Sequence, residues 1–330
     1  MKIINKLGFL FLFFLVSCNS QEKKENTMTT EQRLSFIANK IKYFDYQPMY
    51  RIKIETNLNY EITVNDLPVA KKINSDVGAL VFPINYAILK SGIQKLQIKI
   101  YPSYKDKQTP NPFFIKNPRL KFEIEKTAWD KNGNLEEPKI VTNYELPNYK
   151  LDNKGDYDYN KTIDYSQQNI LIEDFNFAAT IPYELKGWSD SEDLSKIDQE
   201  VLHKKVLEFC EKLVGKYQEK DFDYVKTEYL KADTEWYQSE YLKFDVIKKY
   251  QNAMNNNKNK FKNNFIPLSK YKILLYGNNR IISIERSDIE NKGKSFFLHE
   301  KIDPEGNKKT VSLDLYLHIP KGSKELEIIR

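Results

Sequence analysis

The sequence predicts two domains, an N-terminal all-β sandwich followed by a C-terminal α+β domain. Between Tyr46 and about Leu185, apolar residues recur at every second position, which is typical of strands that bury one face. From Ser191 the apolar spacing changes to three and four residues, which is typical of amphipathic helices. After an Asn-rich stretch at 255–264 the period of two returns. Helices followed by antiparallel strands indicate an α+β layout.

Six segments of the first half are predicted strands. Their sequences are YRIKIET, YEITVND, LVFPIN, KLQIKIYP, RLKFEIEK and NILIEDFNFAATIPYEL. In the fourth segment, Leu96, Ile98 and Ile100 alternate with lysine and glutamine, so one face is apolar and the other polar. We therefore expect two sheets that pack face to face around one buried layer.

The second half opens with a predicted helix. Acidic and hydroxyl residues after Ser191 favour a helix start. The apolar face that follows comprises Leu202, Val206, Phe209, Leu213 and Tyr217. Further helices are predicted through DFDYVKTEYLKADTEWYQSEYLKFDVIKKYQNAM. The strands predicted after them, as an antiparallel meander, are KYKILLYG, RIISIERS, KSFFLHEKID, TVSLDLYLHIP and KELEIIR.

The first residues predict export. Lys2 and Lys6 give a short positive start, and the apolar run from Leu7 to Val16 that follows is too short to span a bilayer. The run closes on Leu15-Val16-Ser17-Cys18, which resembles the lipobox of bacterial lipoproteins. The resemblance implies that the signal is removed, that Cys18 becomes a lipidated N-terminus, and that several acyl chains anchor the protein stably in a membrane. A plain signal peptide with an incidental cysteine is the alternative.

The expected division of the chain is a signal peptide at 1–17, a lipidated polar tether at 18–30, the sandwich at 31–190 and the α+β domain at 191–330.

The residues after Cys18 bear on location. By resemblance to lipoprotein sorting in diderm bacteria, Asn19 in place of aspartate favours the outer membrane over the inner one. Some Bacteroidota-type lipoproteins reach the cell surface through an acidic cluster at this position, whereas here Glu22 is followed by two lysines. We expect an envelope protein that faces the periplasm, with the cell surface as the alternative.

Part of the first half resembles a known module. The order VNDLPV, VFPINYAILKSG and LQIKIYP is similar to that of jelly-roll or Ig-like accessory modules of carbohydrate-active and surface proteins. Asn65-Asp66 and Lys90-Ser91-Gly92 stand at the two turns. This resemblance implies architecture and carries over no ligand residues.

The second half resembles the NTF2-like cone fold by its order of elements. In that family helices lie across a curved sheet and leave a pocket between helices and sheet. The resemblance rests on no sequence motif, and it implies a pocket without naming its residues.

Composition excludes some functions. The formal charge is +6, falls to +4 when Lys2 and Lys6 leave with the signal, and is spread among alternating lysines and glutamates. A nucleic-acid binder would concentrate basic residues in a stripe, so we expect no nucleic-acid partner. With Cys18 acylated, Cys210 has no disulfide partner; a buried structural thiol is expected and a reactive nucleophile is the alternative.

Other polar clusters predict no cofactor and no metal site. The carboxylates of LDNKGDYDYNKTID could hold calcium, but their spacing differs from known loops and a solvated loop is favoured. WDKNGNLEE indicates a hairpin turn. His203, His299 and His318 lack metal-ligand spacing, although the last two could meet across a sheet. No nucleophile motif has its required context, and enzymatic activity is left open.

Aromatic residues are the feature that favours recognition, with 22 Tyr, 19 Phe and 3 Trp. Tyr and Trp combine a flat apolar face with a polar tip, which suits both saccharides and protein partners. We predict a ligand or partner surface at Tyr229, Trp236, Tyr237 and Tyr241, with a helical core as the alternative.

Together these observations favour a membrane-anchored envelope lipoprotein that binds a protein or glycan partner without catalysis. A specific version is an immunity protein against a delivered toxin. The alternative is a small-ligand-binding protein, or a hydrolase or isomerase, that uses a pocket in the C-terminal domain.

The substitution Cys18→Ala tests the anchor. We expect the variant to leave the membrane pellet for the soluble fraction, because one residue carries all the acyl chains. Cell fractionation followed by immunoblotting measures this. A Cys210→Ala variant should stay in the pellet, and a Cys18→Ala protein that also stays there would overturn the lipobox interpretation.

Overall fold

The computed structural model describes residues 27–73, 79–106, 109–116, 118–256, 264–302 and 306–330. The predicted signal peptide, Cys18 and most of the tether lie outside these residues. The described chain has a mixed α+β fold in which the paired strands are antiparallel. Within it, no helix is both long and apolar enough to cross a membrane.

The α-helices are α1 (Thr30–Ala38), α2 (Gln199–Gln218), α3 (Phe222–Glu228), α4 (Leu230–Ser239) and α5 (Phe244–Asn256). The strands of the first half are β1 (Gln47–Thr56), β2 (Asn59–Val64), β3 (Leu67–Lys72), β4 (Ala79–Pro83), β5 (Gly92–Tyr101), β6 (Leu120–Trp129), β7 (Lys139–Glu145), β8 (Tyr149–Leu151), β9 (Tyr157–Thr162) and β10 (Leu171–Ala179). The strands of the second half are β11 (Asn264–Phe265), β12 (Tyr271–Tyr276), β13 (Ile281–Arg286), β14 (Phe297–Ile302), β15 (Lys308–Leu313), β16 (Leu317–His318) and β17 (Glu327–Ile328).

Two four-stranded sheets of the first half share one hydrophobic core. Their strand orders are β4-β1-β6-β7 and β10-β5-β2-β3. Leu96, Ile98 and Ile100 of β5 are buried, as their alternation predicts, and they belong to the same core cluster as Ile52 and Ile54 of β1. All six predicted strand segments are confirmed, because each has an apolar face that a second sheet can cover.

The hairpin turn between β2 and β3 is also confirmed. Asn65 and Asp66 both adopt left-handed backbone conformations, with φ of 51° and 61°. Asn and Asp tolerate this region because their short side chains bond locally, and two such residues in succession form the tight turns of hairpins. The Asn65 side chain accepts a hydrogen bond from the Lys95 amide and donates one to the Ala87 carbonyl, which fixes the turn against β5.

Strand β2 departs from the predicted alternation, because all six of its residues are buried. A strand with one solvated face would expose every second side chain. Here the outer face, which includes Glu61 and Thr63, is covered by residues of the second half such as Tyr276. The predicted single buried layer is therefore wrong at this strand, and a second buried layer begins there.

Helix α2 begins at Gln199, after the Asp198 side chain accepts a hydrogen bond from the Val201 amide. Its buried face comprises Leu202, Val206, Cys210, Leu213 and Tyr217. Cys210 replaces the predicted Phe209, which is only partly buried. This face packs against residues of β13, β14 and β16 in a second hydrophobic core. The amphipathic pattern thus correctly predicted the helix and most of its buried face.

The strands after the helices do not form one continuous meander. The order β12-β13-β16-β17 skips β14 and β15, which belong to a separate sheet ordered β11-β14-β15. Arg286, at the end of β13, is almost fully buried and donates hydrogen bonds to the carbonyls of Ser295, Phe296 and Pro267. These carbonyls lie where the chain leaves one sheet for the other, so the guanidinium satisfies acceptors that a continuous sheet would pair.

Helix α1 packs on the later helices. Thr29 and Gln32 form a capping box at its start, and Ile37 belongs to a third cluster with Leu230, Tyr237 and Ile247. The Met28 amide donates to the Thr227 hydroxyl at 2.9 Å. The end of the predicted tether is thus hydrogen-bonded to α3, and the first residues of the predicted sandwich segment contact helices almost two hundred positions later.

Arg33 connects these elements and provides a test of their packing. Its guanidinium is fully buried and donates to Gln251 at 3.0 Å, to Asp223 at 2.9 Å and to Thr30 at 2.9 Å. We expect Arg33→Ala to lower the free energy of unfolding by about 3 kcal/mol, because it leaves buried acceptors unpaired. Urea unfolding followed by fluorescence measures this.

The exposed Lys40, just after α1, supplies the control. Lys40→Ala should change the stability by less than about 0.5 kcal/mol. Equal stabilities of the Arg33→Ala and Lys40→Ala proteins would contradict a structural role for the buried guanidinium.

Candidate ligand-binding cavity

The outer face of β2 and β3 packs against β12 and β13 through charged residues. Lys71 forms ion pairs with both Glu61 and Glu285, the first at 3.7 Å. Lys272 reaches the other oxygen of Glu285 at 2.8 Å, and the Tyr276 hydroxyl donates to Glu61 at 3.4 Å. Because both carboxylates are buried, they need these partners to offset the loss of water.

Backbone contacts extend this junction. The Gly277 amide donates to the Asp66 carbonyl at 2.9 Å, and the Asn278 amide donates to the Asp66 carboxylate at 2.8 Å. Thus the turn after β2 is joined to the turn after β12. The two halves of the chain are held in one orientation beside the cavity described next.

A cavity of about 620 Å³ lies next to the junction. Its walls come from β3, from Tyr86, from α4, from β12 and β13, and from the segment 312–316, with Arg330 at one side. Pockets of roughly 300–1,000 Å³ that combine apolar walls with a few polar groups are typical of small-molecule sites. This cavity therefore has the size and composition of a ligand site.

Helix α4 and the residue before it supply one wall. Tyr229, Ala232, Asp233 and Trp236 all line the cavity. Their spacing of three, one and three places them on one helix face. The aromatic segment singled out in the sequence thus contributes two of its rings to the cavity.

The structure separates the four predicted surface residues. Tyr229 and Trp236 line the cavity and are partly buried. Tyr237 is only 1% exposed, and its hydroxyl accepts a hydrogen bond from Gln251 at 2.9 Å. Tyr241 packs its ring against Phe44 and Tyr183. Two of the four are ligand candidates, and the other two belong to packed interiors, as in the alternative reading.

Three cationic side chains of the cavity have partners in the protein. Lys71 is paired as described, and Lys294 donates to Asn291 at 3.2 Å and to Thr310 at 3.0 Å. Arg330 pairs with Glu235 at 2.9 Å and donates to the Tyr86 carbonyl at 2.8 and 3.1 Å. These contacts hold each charge in place and leave it little capacity for a ligand.

Asp314 differs from them. It lines the cavity, retains a large accessible surface, and makes no hydrogen bond or ion pair with a described residue. Protein atoms nevertheless crowd it, and this desolvation raises the pKa of its carboxyl group; Lys71 opposes the shift and Glu285 adds to it.

The rings beside Asp314 are tyrosines. Burial raises the pKa of Tyr86 and of Tyr316, and the Asp314 carboxylate adds to both shifts. The Tyr316 hydroxyl makes no hydrogen bond with a described residue, and its ring meets that of Tyr276 edge-on with centroids 6.1 Å apart. Asp314 and Tyr316 are therefore two polar groups of the cavity that make no side-chain hydrogen bond with a described residue.

Sequence reasoning missed Asp314 and Tyr316, although a signal was present. The sequence predicts TVSLDLYLHIP as one strand, whereas β15 ends at Leu313 and β16 begins at Leu317 in a different sheet. The alternation continues through the crossover, so Leu315 and Leu317 enter the core while Asp314 and Tyr316 face the cavity. An acidic residue in the middle of an otherwise amphipathic strand could have indicated this break.

The histidines do not form a site together. His299 lies in β14 and His318 in β16, which belong to different sheets, so the possibility that they meet across one sheet is wrong. Burial lowers the pKa of His318 to about 4. The Nδ1 atom of the ring and the Ser191 hydroxyl form a hydrogen bond of 2.6 Å, and both side chains are buried. This contact fastens the segment before α2 to β16.

The acidic loop at 152–164 uses its carboxylates locally. Asp152 accepts hydrogen bonds from the amides of Lys154 and Asp156, and Asp158 pairs with Lys161 at 2.9 Å. Asp130 likewise accepts from two amides of its hairpin turn. Among the described residues, no group of three or more His, Cys, Asp and Glu side chains is placed to hold a metal ion.

Cys210 is buried in the core beneath α2. Burial raises the pKa of its thiol to about 12, so the reactive thiolate does not form near neutral pH. The structural interpretation of this cysteine is confirmed.

Comparisons with known proteins find no family that matches this chain, no similar curated protein and no similar solved structure.

Glu240, which follows α4, is a further buried carboxyl group. Its Oε1 atom and the hydroxyl of Tyr241 are both buried without a hydrogen-bond partner among the described residues. Burial raises the pKa of Glu240 to about 7, and the charged form is disfavoured because no counter-charge offsets the loss of water.

This shift predicts a pH-dependent stability. The unfolded carboxyl group, with a pKa of 4.5, loses its proton before the folded one, so ionisation favours unfolding as pH rises from 4.5 to about 7. We expect Glu240→Gln to raise the free energy of unfolding by on the order of 2 kcal/mol at pH 8 and by little near pH 5. Urea unfolding at both pH values measures this.

Glu184, an exposed carboxylate, provides the matched control. Glu184→Gln should show no comparable difference between the two pH values. A Glu240→Gln effect of the same size at pH 5 and pH 8 would show that ionisation of this group does not limit stability.

Proposed function

We propose that this protein is an envelope lipoprotein that binds a small saccharide in the cavity beneath helix α4. The observation that carries the proposal is the cavity itself, which combines the rings of Trp236, Tyr86 and Tyr316 with the open polar groups of Asp314 and Tyr316. A flat ring offers a surface for the apolar face of a sugar, and the polar groups bond its hydroxyls.

The proposal includes a two-domain organisation, with a sandwich at 31–190 and an NTF2-like cone at 191–330. One hydrophobic cluster centred on β1–β10 and another beneath α2 support the division, and Tyr276, Ile281 and Ile329 of the second half also pack into the first cluster. The position of the α4 face over β12 and β13 supports the cone. In this arrangement β3 and Tyr86 of the sandwich close the pocket of the second domain.

The envelope location rests on Cys18 and its lipobox. An acylated Cys18 would hold the protein at the outer membrane facing the periplasm, where saccharide fragments of the envelope are within reach. A binding protein tethered in this way needs no catalytic group, and the proposed role is binding.

A protein partner, such as a delivered toxin, is the second candidate. The observation that favours it is the β8–β9 hairpin, where Leu151, Tyr157 and Tyr159 are 60%, 50% and 73% exposed. The rings of Tyr149 and Tyr159 meet edge-on at 5.1 Å, which orders this aromatic surface. Exposed tyrosines are enriched at protein interfaces.

Calorimetric titration tests the first candidate. The protein would be the mature chain from residue 18 with Cys18→Ala, and the ligands a panel of neutral, amino and N-acetylated mono- and disaccharides. We expect at least one to bind, and Trp236→Ala to weaken it by about tenfold or more, because a stacking ring contributes about one to two kcal/mol.

Trp129→Ala is the control, since Trp129 is an exposed tryptophan at the end of β6 and does not line the cavity. Equal weakening by both substitutions would argue against binding in the cavity. No binding by any saccharide, together with capture of one envelope or toxin protein that Tyr159→Ala abolishes, would replace the first candidate with the second.

A further inference from the structure

We infer that the ligand carries a protonated amino group and that Asp314 binds it, so the saccharide is an amino sugar with a free amine. This inference rests on the proposed function and specifies that the bound saccharide is positively charged. It follows from the pairing of charges around the cavity, from the rings that surround Asp314, and from the environment of its carboxylate.

The positive charges of the cavity wall are largely compensated by the protein. Lys71 lies between two glutamates, Arg330 pairs with Glu235, and Lys294 is bound by neutral oxygens. Lys292, the remaining cation of the lining, is exposed to solvent, as Asp314 also is. A ligand anion would therefore compete with carboxylates for Lys71 and Arg330, and with the Asn291 and Thr310 oxygens for Lys294.

The negative charges are compensated with one exception. Asp233 accepts hydrogen bonds at Oδ2 from Lys226 at 3.2 Å, from Gln251 at 3.2 Å and from Tyr237 at 3.4 Å. Both oxygens of Glu285 contact lysines. Asp314 makes no such pair with a described residue, and it lies two positions before Tyr316, whose ring contacts that of Tyr276.

Aromatic rings near Asp314 favour the same ligand. Tyr86, Tyr276 and Tyr316 line the cavity, and Tyr86 and Tyr316 lie close enough for the carboxylate to influence their ionisation. The negative faces of such rings attract ammonium groups, and a carboxylate beside them adds a charge-assisted hydrogen bond. A neutral hydroxyl would gain only part of this stabilisation.

Desolvation gives a further reason. The Asp314 side chain keeps an exposed surface, but neighbouring protein atoms partly desolvate its carboxylate and raise its pKa. A bound ammonium would supply the missing counter-charge and lower this pKa. Binding should therefore weaken as the pH falls through the pKa of Asp314, because the neutral acid attracts a cation less strongly.

The test uses two disaccharides with the same skeleton, the glucosamine dimer with free amines and its di-N-acetylated counterpart. Calorimetric titrations would be run at about pH 6, where amines of this class are protonated. We expect the free amine to bind about tenfold or more tightly than the acetylated sugar. Asp314→Asn should remove that difference.

Two variants make the result specific. Asp156→Asn removes a carboxylate from an exposed loop outside the cavity, and it should leave the difference unchanged. Asp314 makes no hydrogen bond that folding requires, so Asp314→Asn should unfold at the same or a higher urea concentration than the parent protein. A folded variant keeps the binding result interpretable.

The outcomes separate the two proposals. Equal binding of both sugars, reduced equally by Trp236→Ala, would overturn the charge inference and leave the saccharide cavity intact. A preference for the amine that survives Asp314→Asn would also overturn it. If neither disaccharide binds, and no other sugar of the panel does, the proposed function fails together with the inference.

Discussion

The arrangement of the molecule depends on burial of the cluster formed by Glu61, Lys71 and Glu285. Two carboxylates removed from water are tolerable only beside a cation, and Lys71 reaches both from the edge strand of one sheet. This requirement brings β3 against β13 and sets their separation. The cavity lies next to this contact and shares Lys71 and Glu285 in its wall. The position of the cavity is therefore a consequence of where charges can be buried.

The same constraint gives the cavity its chemical character. Because neighbouring residues neutralise most of its charged groups, the wall presents aromatic rings and a few fixed dipoles to a ligand. Asp314 and Tyr316 are different because they lie on a crossover between two sheets. A short irregular segment between regular strands thus provides the free hydrogen-bonding groups that a ligand needs.

Much of the secondary structure could be predicted from the sequence. Apolar spacing and local backbone preference act over a few residues. They account for the predicted strands between β1 and β10, for helix α2 and for the Asn65-Asp66 turn. Helix α1 was missed because its short amphipathic segment is stabilised by Arg33 and by helices far along the chain.

Of the predicted aromatic residues, Trp236 lines the cavity, whereas Tyr237 lies in the hydrophobic core. Spacing alone does not reveal which helix face meets a cavity and which meets another helix.

The sequence by itself determined the strand and helix periods, since these depend on neighbouring residues, and it predicts an export signal before Cys18. Only the tertiary structure decided that β14 and β15 leave the main sheet, that the outer face of β2 is covered, and that Asp314 makes no ion pair with a described residue. These features arise from contacts between residues up to two hundred positions apart. Desolvation and charge pairing act through space, so no local pattern along the chain records them.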